Sequence, residues 1–372
     1  MLLKNATAYI DGKFRHMIDV RTEENLIVEI GENLPILPGE ETQNINGDYL
    51  LPGFVDVHIH AFGGMDTMDG EKAVRHMSRE LKKQGVSAFL PTTMSASLQD
   101  TLSALKGIDA VRRNPEKDGA VVIGAHMEAP FLSKERRGAQ VADYFTPPSM
   151  NAWHELTGAF SSVARIVTMA PELDGAQEWI REIASRGIVV SIGHTNASCE
   201  LVHQAASWGA THVTHLFNAQ TPLHHREPGV PGATLTDSRL YAELICDGIH
   251  LHPDIIRLTW LCKGREKAIL VTDAMEAAGM PDGTYSLGGQ TVHVKDGAAR
   301  LSSGTLAGST LTMPKGFQNL IHIGIPPEDA VYMATQGPAE SIGEKLAGRI
   351  VKGAPGIFTR WDSAWNLKAV IG

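Results

Sequence analysis

Six apolar runs in this sequence close on an imidazole or a carboxylate, and the residues at those ends are the ones equipped for chemistry. Phe54–His60 ends on His58 and His60, Val121–Glu128 on Glu128, Ile188–His194 on His194, and His212–Leu216 carries His215. Ala242–Ile249 runs into His250, and Ile269–Asp273 ends on Asp273. Side chains alternate along a strand, so His58 and His60, two residues apart, point the same way. Imidazole and carboxylate donors without thiolates suit zinc, and also iron, manganese, cobalt or nickel, in a catalytic rather than a structural site. The task of such a centre in hydrolysis is to lower the pKa of water from 15.7 to about 7. A carboxylate must still move protons. Asp273 is the candidate, since it can accept the proton of water and pass it to a departing amine. Its competing reading is an N-cap for a helix over residues 274–278.

These residues matter only if something gathers them, and the chain between residues 51 and 348 alternates apolar strands with amphipathic helices, the mark of parallel βα units. Eight strands are expected near Phe54–His60, Ser87–Thr92, Val121–Glu128, Ala164–Ala170, Ile188–His194, His212–Leu216, Ala242–Ile249 and Ile269–Asp273. Val74, Met77 and Leu81 recur at helical spacing before Gly85, and Pro253 opens a helix that should stop at Gly264. Eight units fit an α/β fold of the (β/α)₈ barrel type, of roughly 250 residues before insertions, which places its active site at the carboxyl ends of the strands. All the polar strand ends then share one rim. An open doubly wound sheet ranks second, because no GxGxxG joins a strand to a helix.

Outside the barrel, residues 1–50 read as short strands at Thr7–Ile10, Phe14–Val20 and Leu26–Ile30, with an Asp11-Gly12 turn. Residues 349–372 add strands at Arg349–Val351 and Gly356–Thr359, so one small β unit is expected from both termini. A turn-rich insertion over 279–308, with hairpin pieces at Tyr285–Leu287, Thr291–Val294 and Ala299–Leu301, is long enough to cover the barrel mouth.

Bulk properties narrow the partners. The formal net charge of −9 gives no electrostatic grip on nucleic acid or anionic lipid, so any anion must be held by a local site. The first residues contain no apolar stretch of signal-peptide or membrane-spanning length, and a cytoplasmic protein is expected. Cys199, Cys246 and Cys262 form no CxxC pair and read as small buried apolar side chains.

One stretch is more specific than the rest: His215-Leu-Phe-Asn-Ala-Gln-Thr-Pro-Leu-His-His-Arg-Glu-Pro-Gly229 joins a strand-end histidine to a polar loop. It resembles a segment of the N-acetylglucosamine-6-phosphate deacetylases, amidohydrolases of the same barrel class. So do Leu51-Pro-Gly-Phe-Val-Asp-Val-His58, His126-Met-Glu128, Gly193-His194-Thr195, Asp247-Gly248-Ile-His250, Val271-Thr-Asp-Ala274 and Leu306-Ala-Gly-Ser309, all in order. The resemblance implies that Glu128, His194 and His215 hold the main metal, zinc foremost, that Asp273 is the acid/base, and that His250 polarises the acetyl carbonyl. With His58 and His60 both present, it implies a second metal bridged by Glu128. It places a phosphosugar substrate on Asn218, Ala219, Arg226, Asp247, His250, Leu306, Ala307, Gly308 and Ser309, with Ala139 and Gln140 near the sugar. A guanidinium such as that of Arg226 pairs with phosphate through two parallel hydrogen bonds. The resemblance further implies a homodimer, with His252 and His225 approaching the phosphate across the interface.

The match is imperfect. Glu128-Ala129-Pro130 replaces Glu-Gly-Pro, and Arg137-Gly138-Ala139-Gln140 replaces Lys-Gly-Ala-His, where the family's histidine contacts the sugar. Ala354-Pro355-Gly356 replaces Ala-Asp-Leu. Two rival functions remain: a cyclic-amide hydrolase, which would need a carboxylated lysine that the fourth strand lacks, and a barrel that has lost catalysis and only binds.

Overall fold

Val86–Thr93 is buried at every position and so is Phe54–Ile59. A strand covered on both faces has no reason to alternate apolar with polar residues, and parallel sheets flanked by helices are built of such strands. In the computed structural model, which describes residues 1–372, these two begin a ring of eight parallel strands. The others are Ala125–Glu128, Ala164–Met169, Val189–Ile192, His212–Val213, Tyr241–Ile245 and Ala268–Val271, paired in chain order, with Val121–Val122 a short extra strand beside Val86–Thr93. A parallel bridge between Ile59 and Ala274, with Asp273 N–H donating to the His58 carbonyl at 2.8 Å, joins the eighth strand to the first. The expected (β/α)₈ barrel is thus observed.

The helices follow the sequence signals closely. Glu71–Lys83 buries Val74, Met77 and Leu81, and the chain leaves it through Gly85 at φ +80°. Pro253–Lys267 loses helical geometry at Gly264 (φ 65°, ψ 175°) and resumes for a last turn. The insertion forms an antiparallel sheet of Gly283–Leu287, Gln290–Lys295 and Ala298–Leu301, whose apolar face (Leu287, Val292, Val294, Ala299) packs on Met94, Met275 and Ala307 at the barrel mouth.

Both termini share a second sheet, in the order Leu367–Ile371, Phe358–Trp361, Tyr49–Pro52, Leu2–Ile10, Lys13–Glu23, Leu26–Gly31, with Thr42–Asn44 beside Leu2–Ile10. Two details differ from the sequence reading. Arg349–Val351 is not a strand: Gly348 and Gly353 at φ +71° and +86° bend the segment, and Ile350 is instead buried among Ile27 and Ala354. The second C-terminal strand is Leu367–Ile371, of which only Ile371 is buried, and it follows a turn at Asp362. The cysteines also differ, since Cys246 is buried but Cys262 is exposed and Cys199 half-buried. No helix is long and apolar enough to cross a membrane.

Tyr9 joins the two sheets' territories: its ring is buried and its hydroxyl donates to the Glu328 carbonyl at 2.9 Å. Tyr9→Phe should therefore lower unfolding stability by about 1 kcal/mol, measured by urea titration, with turnover unchanged. An unchanged midpoint would mean that this bond contributes nothing.

Candidate metal centre at the barrel mouth

The backbone at the strand ends is strained where the sequence placed its polar residues. His194, His215 and Asp273 have φ of 46°, 31° and 49°, a left-handed region that costs an L-residue about 1–3 kcal/mol unless its surroundings enforce it. They are enforced. The His194 carbonyl accepts from Ser133 N–H (2.9 Å), that of His215 from Asn218 N–H (3.0 Å), and that of Asp273 from Ser309 N–H (2.8 Å). Gly308 permits the last contact, because a Cβ there would lie 3.1 Å from the Asp273 carbonyl at φ +63°. Asp273 caps no helix: the chain after it forms turns, which excludes the capping reading.

These ends converge. Glu128 Oε1 lies 3.0 Å from His215 Nε2 and 3.2 Å from His194 Nε2, which are themselves 3.1 Å apart. Beside this group, His60 Nε2 lies 3.1 Å from Glu128 Oε2 and 3.2 Å from Asp273 Oδ1. His58 Nε2 lies 3.6 Å from both Glu128 Oε1 and Asp273 Oδ1. Glu128 thus stands between two clusters, Glu128–His194–His215 and His58–His60–Asp273, each close enough to share one ion.

The hydrogen bonding tests whether a cation fits. His194 Nδ1 faces the Arg136 carbonyl (2.9 Å) and His60 Nδ1 the Thr92 carbonyl (3.3 Å), acceptors that place the ring proton on Nδ1. His58 Nδ1 faces the Glu243 carboxylate at 2.9 Å in the same way. The Nε2 lone pairs then point at carboxylate oxygens and at one another, an arrangement that repels unless positive charge lies among them. A divalent cation with nitrogen and oxygen ligands supplies that charge, and the donor set is one such an ion accepts.

Electrostatics agree. Burial pushes the Asp273 carboxyl up, but the imidazoles of His58 and His60 outweigh it and hold it at about 2. Glu128 is likewise held well below the usual range by His58 and His194, against its own burial. For His60, burial is outweighed by Asp273 and Glu128, which raise it to about 9, so a proton competes with a metal cation for its Nε2. The floor of the site favours cations.

Above it opens a cavity of about 470 Å³. Asn218, Ala219, His250, Leu306, Gly308, Ala139 and Gln140 line it. Asp247 stands behind His250, its Oδ2 accepting from His250 Nδ1 at 2.6 Å; Ala307 is buried under the small sheet, and Ser309 donates to the Thr272 carbonyl, bracing Asp273. Gln140 is fully engaged: its Nε2 donates to Glu128 Oε2 (2.8 Å) and its Oε1 accepts from Ser95 N–H (2.8 Å), so its amide steadies Glu128 and is not free for the sugar.

Three residues that the resemblance placed at the phosphate, Arg226, His225 and His252, do not line this cavity. Arg226 bonds to His225 on an exposed loop and lines a neighbouring cavity of about 460 Å³, and His252 is an exposed N-cap accepting from Asp254 N–H. The cavity's own cations are Arg136 and Arg300, which sequence reasoning missed. Arg300 comes from the insertion expected to cover the mouth, which was the available signal. Glu243 was missed too, although an acid inside the apolar run Tyr241–Ile245 was a visible anomaly.

Comparison with known proteins gives a consistent picture. Residues 49–371 match the model of the amidohydrolase family. The N-acetylglucosamine-6-phosphate deacetylase of Lysinibacillus sphaericus is 36% identical over 95% of this chain and 91% of its own length. The N-acetylgalactosamine-6-phosphate deacetylase of Escherichia coli O157:H7 is 35% identical over 94% and 92%. Among solved structures, a mutant N-acetyl-D-glucosamine-6-phosphate deacetylase from Mycobacterium smegmatis, in complex with N-acetyl-D-glucosamine-6-phosphate, superposes with a TM-score of 0.91 at 31% identity, covering 100% of this chain and 97% of that one.

Proposed function

The chain belongs to the amidohydrolase family, and on that premise we propose that it hydrolyses the acetamido group of N-acetylglucosamine 6-phosphate to glucosamine 6-phosphate and acetate. The observation that carries the reading is the convergence of Glu128, His194, His215 and Asp273 on the floor of one sugar-sized cavity. The cyclic-amide alternative is not favoured, since the fourth strand, Ala164–Met169, offers no lysine, and Glu128 stands between the two clusters where such a lysine would be needed.

A divalent cation on Glu128, His194 and His215, zinc by preference, would supply Lewis acidity and lower the pKa of water towards 7. A second, on His58, His60 and Asp273, would share Glu128. Asp273 is ionised and faces the cavity, so it takes the proton of the attacking water and returns it to the departing amine. His250 is aimed by Asp247, whose Oδ2 lies 2.6 Å from the ring Nδ1, and its ring faces the cavity where it polarises the acetyl carbonyl. Asn218 and Ala219 face the sugar.

For the phosphate, Arg300 and Arg136 serve within the subunit. Arg226 reaches it only from a second copy, and we take the working unit to be a homodimer in the cytoplasm. The sheet of residues 1–50 and 349–372 is read as a unit apart from the barrel of residues 51–348.

A hydrogen bond to a charged group contributes about 1.5–3 kcal/mol, so Arg300→Ala should raise KM for the phosphosugar by roughly tenfold to a hundredfold with kcat kept. Turnover of the unphosphorylated sugar should not change. If KM stays the same, Arg300 is only a solvated lid residue. Mixing Arg226→Ala with Asp273→Asn protein should restore activity that neither shows alone if the site is shared between copies.

The function itself is tested by acetate release from the zinc-loaded protein. N-acetylglucosamine 6-phosphate should be cleaved, and unphosphorylated N-acetylglucosamine far more slowly. The similarity to an N-acetylgalactosamine-6-phosphate deacetylase makes the C4 epimer a second reading, distinguished by the ratio of kcat/KM values. No acetate from either phosphosugar at any metal loading removes the proposal.

A further inference from the structure

Glu243 stands on the seventh barrel strand with none of its surface exposed, and the reaction above does not use it. A carboxylate taken out of water needs partners to offset its lost hydration, and in an inert core both oxygens would find them. Here only one does. Oε2 accepts from His58 Nδ1–H at 2.9 Å and from the His215 backbone N–H at 3.3 Å, while Oε1 has no hydrogen-bond partner.

His126 also stands within 4.8 Å, but His58 is the one imidazole hydrogen-bonded to the carboxylate. His194 and His60 are backed by the neutral carbonyls of Arg136 and Thr92, and His215 Nδ1 has no partner at all. His58 alone has an anion behind it. We infer that Glu243 is a positioning residue for the inner cation site: it keeps the His58 proton on Nδ1, turns the Nε2 lone pair towards Glu128 and Asp273, and strengthens that nitrogen as a donor. His58 is itself fully buried and its Nε2 lies 3.4 Å from His60 Nε2, so the ring has no other direction in which to offer a lone pair. A carboxylate behind a histidine ligand typically changes metal affinity about 10- to 100-fold. The inference rests on the two-cation reading of the site.

It is tested by titrating metal-free wild-type, Glu243→Gln and Glu243→Leu proteins with Co²⁺, followed by calorimetry and by the visible bands of the bound ion. Wild type should take two equivalents. Glu243→Gln, whose amide oxygen still accepts from Nδ1–H but carries no charge, should bind the second about 10- to 100-fold more weakly and the first unchanged. Glu243→Leu should take one; if it does not fold, Glu243→Gln decides. Two equivalents of wild-type affinity in the variants, with only the melting temperature lowered, would make Glu243 a structural residue and overturn the inference. A single equivalent in wild type overturns the two-cation reading and the inference with it, while acetate release by that protein leaves the deacetylase assignment standing.

Discussion

Asp273→Asn should lose about 10³-fold or more of kcat while still binding the cation held by Glu128, His194 and His215. Asparagine keeps the shape of the side chain and the left-handed backbone that Ser309 and His58 enforce, but it cannot carry a proton from water to amine. General acid–base groups contribute typically 10²–10⁴-fold, and here one group serves both halves of the transfer. Because the interaction exists only in the transition state, kcat and kcat/KM should fall together, as steady-state kinetics on metal-loaded protein will show. A loss below tenfold would assign the proton transfer elsewhere.

Glu128→Ala should be as severe for a different reason. Oε1 of this carboxylate faces His194 and His215, and Oε2 faces His60 and Gln140, so its removal takes an anionic ligand from both clusters at once. The expected result is less than one tightly bound ion per chain by elemental analysis, with turnover down by more than about 10³-fold. Stability should fall as well. A ligand present at 100 to 1,000 times its Kd stabilises the fold by about 2.7–4.1 kcal/mol, and that contribution disappears with the ion. Chelation of the wild type should therefore lower the melting temperature, and the same treatment of Glu128→Ala should change it little. Full metal content in the variant would contradict the assignment of this centre.

The barrel and the floor of its site were legible in the sequence for a physical reason. Strands buried on both faces are mostly apolar, so Phe54–Ile59 and Val86–Thr93 stand out as runs, and an imidazole or carboxylate at the end of such a run is conspicuous. His194, His215 and Asp273 were found in this way, and all three occupy strained backbone at the mouth. Loops have no such period. The resemblance put Arg226 at the phosphate and His252 beside it across an interface, whereas within this chain the former lies on an exposed loop and the latter caps a helix. Gln140 could be read as a sugar contact only until its amide was seen bonded to Glu128 and Ser95. Arg349–Val351 has strand composition, but the glycines on either side bend it away from any partner. Glu243 escaped because burial alone does not say which imidazole a carboxylate will face.

The central claim is that amide hydrolysis takes place at the cation cluster of Glu128, His194 and His215. Its most direct test is acetate release from N-acetylglucosamine 6-phosphate by chelator-stripped protein, measured as zinc is returned in steps with bound metal counted at each. Turnover should be absent without metal and rise with the first equivalent bound. Undiminished turnover in metal-free protein, or none at full occupancy, would contradict the account.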